Sequence, residues 1–318
     1  MAEVTTIGET MILLSNENGE MLRSPSLSKR IGGAESNVAI GLTRLGHKVN
    51  WISKLGVDPF GEEILYHLRG EGVEVSYVVR DPDNRTGIMI KDRRGWGDPD
   101  VYYYRDQSAA SKLQWGEVNL DALRDTKILH LTGITPALSA SCRNVTLRLI
   151  EYGKKNGIPI SFDPNLRLKL WDISEARSFI LSILPHVDYF LPGIGEARLL
   201  AGVDQNEAST KELCHFFHMQ GAHHVVMKLG EGGCAVSSDG HFQKIKGYEI
   251  TPLDTVGAGD GFCAGFLSGV LSGLSLWEAA IRGNAVGAIA ASTQGDYDGL
   301  PRESALQHFL GNDIEVKR

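Results

Sequence analysis

The chain has 318 residues, 42% of them hydrophobic, so it is long enough to bury a large core as one α/β domain or as two domains. Its 32 basic and 39 acidic residues leave a net charge of −7 with no basic block, which excludes the phosphate-neutralising stripe that non-specific nucleic-acid binding needs. Residues 1–15 lack a basic segment followed by an apolar run. The least charged stretch, 258–276, is broken by Asp260 and by several glycines and serines, so neither a signal peptide nor a membrane span is expected. Cys142, Cys214, Cys234 and Cys263 are scattered with no C-x-x-C pair, which fits reduced thiols in a cytoplasmic protein. The expected partner is a small molecule.

In chain order, residues 11–31 are polar and turn-rich, with weak alternation around 21–23. A helix is expected over 34–45, where Val38, Leu42 and Leu45 share one face, and a strand over 49–53. Residues 87–105 alternate as strands do: Ile88 and Ile90, a loop over 94–100, then 101–104 with its run Tyr102, Tyr103, Tyr104. Apolar runs at 128–131, 158–162, 189–191 and 225–228 read as buried strands, separated by helical patterns such as 143–154 with Val145, Leu149 and Tyr152. Such alternation predicts an α/β fold, a parallel sheet flanked by helices, whose ligands sit beyond the carboxyl ends of the strands. The two segments that break the rhythm, about 11–33 and 86–108, are expected to form a small antiparallel β lid on a single domain spanning 1–318. No internal repeat and no low-complexity tract is present.

The most informative segment runs from Asp254 through Thr255, Val256, Gly257, Ala258 and Gly259 to Asp260. A glycine turn entering a helix presents backbone N–H groups with no intrahelical partner, and the helix dipole adds partial positive charge there. Gly257, Ala258 and Gly259 are therefore candidates to hold a transferring phosphoryl group. Asp260, at the mouth of that hole, is a candidate general base for a substrate hydroxyl, or alternatively a helix cap. Gly261, Gly265, Gly269 and Gly273 recur every fourth residue and are expected to pack against a neighbouring element. His215 and His218, on a helix expected over 211–220, have no acidic partner at ligand spacing and are read as packed or solvated. The sequence has no G-x-x-x-x-G-K-[ST] and no H-R-D or D-F-G, which excludes the P-loop and protein kinases at the motif level.

The 254–262 segment resembles the C-terminal signature of the ribokinase-like (PfkB) family, and Gly32, Gly33 and Asn37 with Gly46 fall in a stretch that resembles its N-terminal signature. That resemblance implies an ATP-dependent sugar kinase with ATP and Mg²⁺ as cofactors, and leaves a monovalent cation as a further candidate. It implies Asp260 as the base, Gly257, Ala258 and Gly259 as the anion hole, and Gly33 and Asn37 beside the sugar hydroxyls. Lys228, Gly230 and Gly233 look like the family's nucleotide-side loop, with Asn284 at a position near adenine. One departure stands out: where the family carries Asn-x-x-Glu, this chain has Gly193 and Glu196, so Glu196 is left to hold Mg²⁺ through water.

Two arginines bear on the sugar. Arg105 ends the expected lid hairpin. Asn165 and Arg167 follow the strand 158–162 at the end where ligands bind. Two guanidinium groups suit a carboxylate, since each planar fork matches its two oxygens. The bland alternative is surface pairing with Asp106 and Asp172. The stretches around Tyr103, Arg105 and Arg167 resemble the 2-keto-3-deoxygluconate kinases, which implies that these residues contact a sugar acid phosphorylated at its terminal hydroxyl. A neutral sugar or nucleoside, or a silent sugar sensor, are the rival readings. The lid, with Tyr102 and Trp96, is also a candidate interface for a homo-oligomer.

Overall fold

The computed structural model describes residues 2–16, 21–92, 100–204 and 207–311. In chain order its strands begin with β1 (Val4–Ile7), β2 (Met11–Ser15), β3 (Ser28–Gly32), β4 (Val49–Ile52) and β5 (Lys54–Gly56). They continue with β6 (Val79–Asp81), β7 (Ile88–Asp92), β8 (Asp100–Tyr104), β9 (Ile128–Thr132) and β10 (Ile160–Asp163). The last are β11 (Tyr189–Phe190), β12 (His224–Lys228), β13 (Cys234–Ser238) and β14 (His241–Ile245).

Eight strands form the main sheet in the order β14-β13-β12-β11-β10-β9-β1-β4. From β4 to β12 all pairs are parallel, because a helix-bearing connection separates successive strands. β12, β13 and β14 turn back on each other through short glycine turns and pair antiparallel. Every residue of β4, β9 and β10 is buried, as expected for strands covered on both faces. Helices Ala34–Arg44, Ala258–Leu271 and Leu276–Ala291 pack on one face of the sheet. Helices Ala140–Asn156, Ile173–Ile183, Ile194–Ala201 and Thr210–Met219 pack on the other.

A second sheet, in the order β3-β2-β7-β8, stands apart from the first. Its outer pairs are antiparallel and its central pair, β2 with β7, is parallel, because β2 and β7 come from two separate excursions of the chain. Met11, Leu13, Met89, Val101 and Tyr103 cluster on one face. Tyr102 and Tyr104 point the opposite way, 49% and 64% exposed. The loop expected at 94–100 lies, up to its last residue, outside the described residues, and so does Trp96.

The strands expected from the apolar runs form within a residue or two of their expected bounds. Three elements depart from expectation. Residues Met21–Arg23 form a single 3₁₀ turn and no strand. The β1 strand and the β13–β14 hairpin carry Thr, Ser, His and Lys, so they do not read as apolar runs. Among the described residues no helix is long and apolar enough to cross a membrane, and all four cysteines are buried and unpaired with one another.

Candidate active site

The carboxyl ends of β1, β9, β10 and β12 converge beneath the small sheet, and a cavity of about 420 Å³ opens between them. Of the residues singled out in the sequence, Gly33, Asn37, Tyr103, Arg105, Asn165 and Arg167 line it. So do Glu196, Lys228, Gly257, Gly259 and Asp260. Segments more than two hundred residues apart in sequence are thereby brought to one place.

Asp260 is the third residue of the helix Ala258–Leu271, whose N-cap is Gly257, and it makes no capping bond. Its carboxylate is held from two other elements. Asn37 Nδ2, on the helix Ala34–Arg44, donates to Oδ2 at 2.8 Å, and Asn165 Nδ2 donates to Oδ1 at 3.3 Å. Each carboxylate oxygen keeps a lone pair for another partner. Burial lifts the Asp260 carboxyl to about 7, the Asn37 bond pulls it back, the charge of Asp163 adds to the rise, and Lys228 and Arg167 oppose it. A carboxylate with proton affinity near neutrality, facing a cavity, is suited to general base work.

Gly257 has φ +79°, and a side chain there would overlap the main-chain carbonyl of Asp296, so only glycine fits. The first N–H group donating along the helix is that of Gly261, to Gly257 O at 2.8 Å; the N–H groups of Gly259 and Asp260 precede it in the first turn. Lys228 reaches the same spot: its ammonium lies 3.7 Å from where a Gly259 Cβ would be. Lys228 Nζ also pairs with Asp163 at 2.7 Å. Burial opposes its charge, but Asp163, Cys263 and Glu196 outweigh this and push its pKa up, so it is a fixed cation. Helix N-terminus, glycine turn and buried lysine together make an anion site.

Gly230, Gly233 and Asn284 do not line this cavity. Gly230 and Gly233 lie in the β12–β13 turn, and Asn284, on the helix Leu276–Ala291, reaches the segment that follows β14. Asn284 Nδ2 donates to Lys246 O at 3.4 Å, and a side chain at Gly233 would overlap the carbonyl of Ile245. Lys228, at the end of β12, connects that turn to the cavity. Ala258, the first residue of the helix, packs its carbonyl near Gly287 and does not line the cavity.

The two arginines of the cavity differ. Arg105 is buried, and Glu9, buried as well, takes Arg105 Nε at 2.7 Å and its Nη2 at 2.5 Å. Ser108 Oγ donates to the other Glu9 oxygen at 2.5 Å, and Arg105 stacks over Tyr103 at 5.4 Å. Arg167 donates to the carbonyl of Leu166 at 3.1 Å and has no carboxylate partner among the described residues. Neither arginine pairs with the acid beside it in sequence. Asp172 caps the helix Ile173–Ile183 through Glu175 N.

For Mg²⁺ the residues fit as a partial holder only. Among the described residues no group of three or more His, Cys, Asp or Glu side chains is placed to hold a metal ion. Glu196 accepts N–H groups of Leu166 and Gly193, each at 2.7 Å. Gly193 has no side chain to cap its helix, so Glu196 reaches back to do so. Burial and the neighbouring Asp163 raise the Glu196 carboxyl, while Lys228 lowers it. A metal that brings its own phosphate and water ligands needs little more than these two carboxylates nearby.

Glu9, Lys91, Asp163 and Asp296 were not among the candidates read from the sequence. Their partners are Arg105, Asp296, Lys228 and Lys91, each at least 65 positions away, so no local pattern signals them.

A parallel sheet with its cavity at the strand ends, a glycine turn feeding a helix and a carboxylate at that helix's first turn are brought together on an α/β scaffold, as the sequence resemblance implies. The family model of the pfkB family carbohydrate kinases matches residues 1–303, and the chain belongs to that family. It is 41% identical over 312 residues to the 2-dehydro-3-deoxygluconokinase of Bacillus subtilis, covering 97% of this chain and 95% of that protein. It is 33% identical to the 2-dehydro-3-deoxygalactonokinase of Haloferax volcanii, covering 100% and 99%. The structure of a putative ribokinase II of E. coli in complex with ATP and Mg²⁺ superposes with a TM-score of 0.88 at 26% identity, covering 98% of this chain and 100% of that one.

Proposed function

We propose that this carbohydrate kinase phosphorylates the terminal hydroxyl of 2-keto-3-deoxygluconate. The observation that carries the reading is Arg167, a guanidinium with no carboxylate partner among the described residues, facing the same cavity as Asp260. A half-buried guanidinium that contacts no carboxylate among the described residues is suited to pair with a ligand of opposite sign. Arg105 is already neutralised by Glu9, so it serves as a rigid hydrogen-bond donor next to Tyr103. A fructokinase reading keeps Asp260 but leaves Arg167 without a partner, and the 41% relative named above also favours the keto-acid.

Bound Mg²⁺·ATP supplies the transferred phosphoryl group. Gly33 and Asn37 border the sugar, with Asn165 beside them. Asn37 and Asn165 orient the Asp260 carboxylate, which takes the proton of the attacking hydroxyl. The Gly257–Gly259 turn and Lys228 receive the phosphoryl oxygens, where fixed dipoles need no reorganisation during reaction. Gly230, Gly233 and Asn284 would hold the nucleotide side, and Glu196 would hold Mg²⁺ through water, the metal supplying charge neutralisation of the phosphates. The segments 11–33 and 86–108 act as a lid that keeps water from the transferring group. The protein works in the cytoplasm, as a homo-oligomer joined through the lid. A monovalent cation is the open member of the cofactor set, decided by comparing turnover in potassium and tetramethylammonium buffers.

A coupled ADP-release assay across 2-keto-3-deoxygluconate, gluconate, fructose, ribose and adenosine tests the assignment. Turnover is expected on the keto-acid, with Arg167→Ala raising its KM by about 10–100-fold, the loss of one charge-assisted contact. Equal loss on fructose and on the keto-acid would return Arg167 to a structural role.

A further inference from the structure

Tyr103 divides two spaces. With Val101 and Arg105 it lines the cavity that holds Asp260, and the same three residues line an outer recess of about 710 Å³, bounded also by Lys112, Ser139 and Lys169. Val101 and Tyr103 belong to β8, an edge strand that pairs with β7 alone. On one flank Tyr103 packs with Met89, its cross-strand partner. Past the edge no strand follows, so sheet packing fixes only half of the ring's surroundings. Two cations supply the rest: Arg105 Cζ lies 5.4 Å from the ring centroid and Lys169 Nζ 5.9 Å.

Lys169 does not line the cavity itself. It sits on the segment after β10, which is held at several points: Leu166 N donates to Glu196, Leu170 N donates to Arg167 O at 2.8 Å, and Trp171 is buried. The same segment carries Asn165, whose amide holds Asp260. From this fixed base the exposed Lys169 side chain reaches across to the small sheet, and its Nζ donates to Val101 O at 2.9 Å. Ordering a long side chain offsets most of what one exposed hydrogen bond contributes, so stability does not account for the contact. It joins the loop that holds the base to the strand that carries Tyr103.

We propose that Lys169 is a positioning residue for sugar binding: pinned to the Val101 carbonyl, its ammonium holds the Tyr103 ring in place from outside the cavity. The inference rests on the reading of the cavity as the sugar site. A cation beside an aromatic ring attracts it, and a ring held before the ligand arrives costs less to order when the ligand binds. Lys169 touches the ring and none of the reacting groups. It therefore acts on the sugar's KM and leaves the phosphoryl step and the nucleotide's contacts unchanged.

The test is a double-mutant cycle between Lys169→Met, which keeps an unbranched apolar stem but removes the ammonium, and Tyr103→Leu, with Lys169→Arg and Tyr103→Phe as controls. Lys169→Met is expected to raise the sugar KM about 5–20-fold, with kcat and the KM for ATP within about threefold of wild type. Lys169→Arg is expected to restore the sugar KM to within about threefold. In the Tyr103→Leu background the same Lys169→Met change is expected to cost less than about twofold, whereas in Tyr103→Phe, which keeps the ring, its effect persists. An unchanged sugar KM in Lys169→Met overturns the proposal, as do additive losses in the double variant or a loss confined to kcat. The cycle is measured on whichever sugar the wild type phosphorylates. If that sugar is neutral, the keto-acid reading fails, and the coupling of Lys169 to Tyr103 is still decided by the cycle.

Discussion

Three of the acids that line the cavity, Asp163, Glu196 and Asp260, are held by different neighbours and so suit different tasks. Asp163 is tied to the Lys228 ammonium, Glu196 to two backbone N–H groups, and Asp260 to two side-chain amides that leave it open to the cavity. Burial raises the Asp260 carboxyl to about 7, far above an ordinary aspartate. Only its deprotonated form accepts a hydroxyl proton, so kcat/KM is expected to fall as pH drops through about 7, with a slope of one proton, in a pH–rate profile. Stability runs the opposite way. An acid whose pKa is raised by folding contributes stability in full below its unfolded pKa, and that contribution is lost as pH rises through its folded value. Asp260→Asn is therefore expected to abolish turnover by several orders of magnitude, yet to melt a few degrees above the wild type at pH 8 and level with it near pH 4. A variant that melts lower at pH 8 would contradict the burial argument.

At the scale of elements, the helix pair Ala258–Leu271 and Leu276–Ala291 sets the position of the anion turn. Their backbones approach closely through the glycine stripe. A Cβ at Gly265 would sit 2.8 Å from both the carbonyl of Arg282 and a methyl of Val286, and one at Gly269 would press on Ala279. Gly265→Val is expected to lower unfolding free energy by about 1–3 kcal/mol, as overpacking does, and to reduce turnover through the tilted helix. Denaturant titration checks the first and single-turnover kinetics the second. The stripe ends one step earlier than the four-residue spacing suggests. Gly273 faces open space at φ +77°, beyond the helix, where it closes the C-terminal turn. Periodicity shows a smooth face but not where the helix stops.

The same limit governed the strands. β4, β9, β10 and β12 were legible because both their faces are buried and their residues run apolar. β1 lies inside the sheet, next to its edge strand β4 and paired also with β9, yet Thr5 and Thr6 disguise it. Thr5 Oγ1 satisfies itself on the Ala122 carbonyl at 2.8 Å, a partner 117 positions away. A buried threonine of this kind reads as polar until its acceptor is known.

Over the whole molecule, the small sheet has one face turned to the cavity and another bearing Tyr102 and Tyr104 toward solvent, with β3 and β8 as its edge strands. Exposed aromatics beside an open edge are a surface that a second copy would cover. Changing both tyrosines to Asp is expected to shift the sedimenting species from oligomer to monomer. A wild type that sediments as a monomer would remove the lid interface from the proposal.

The sequence by itself determined the layered α/β architecture and singled out the glycine turn and Asp260 as candidates from local rules, and the two arginines from their place at strand ends and from resemblance. Periodicity separates strands from helices, glycine permits a turn, and a helix start exposes N–H groups. Only the tertiary structure decided what surrounds them. Asp260 turned out to be gripped by Asn37 and Asn165 and free of any capping role, Arg105 to be neutralised by Glu9, and Arg167 to have no carboxylate partner among the described residues. The reason is that charge in a cavity is set by which groups meet across space. Those meetings, Glu9 with Arg105, Lys91 with Asp296, Asp163 with Lys228, join segments that no sequence window spans.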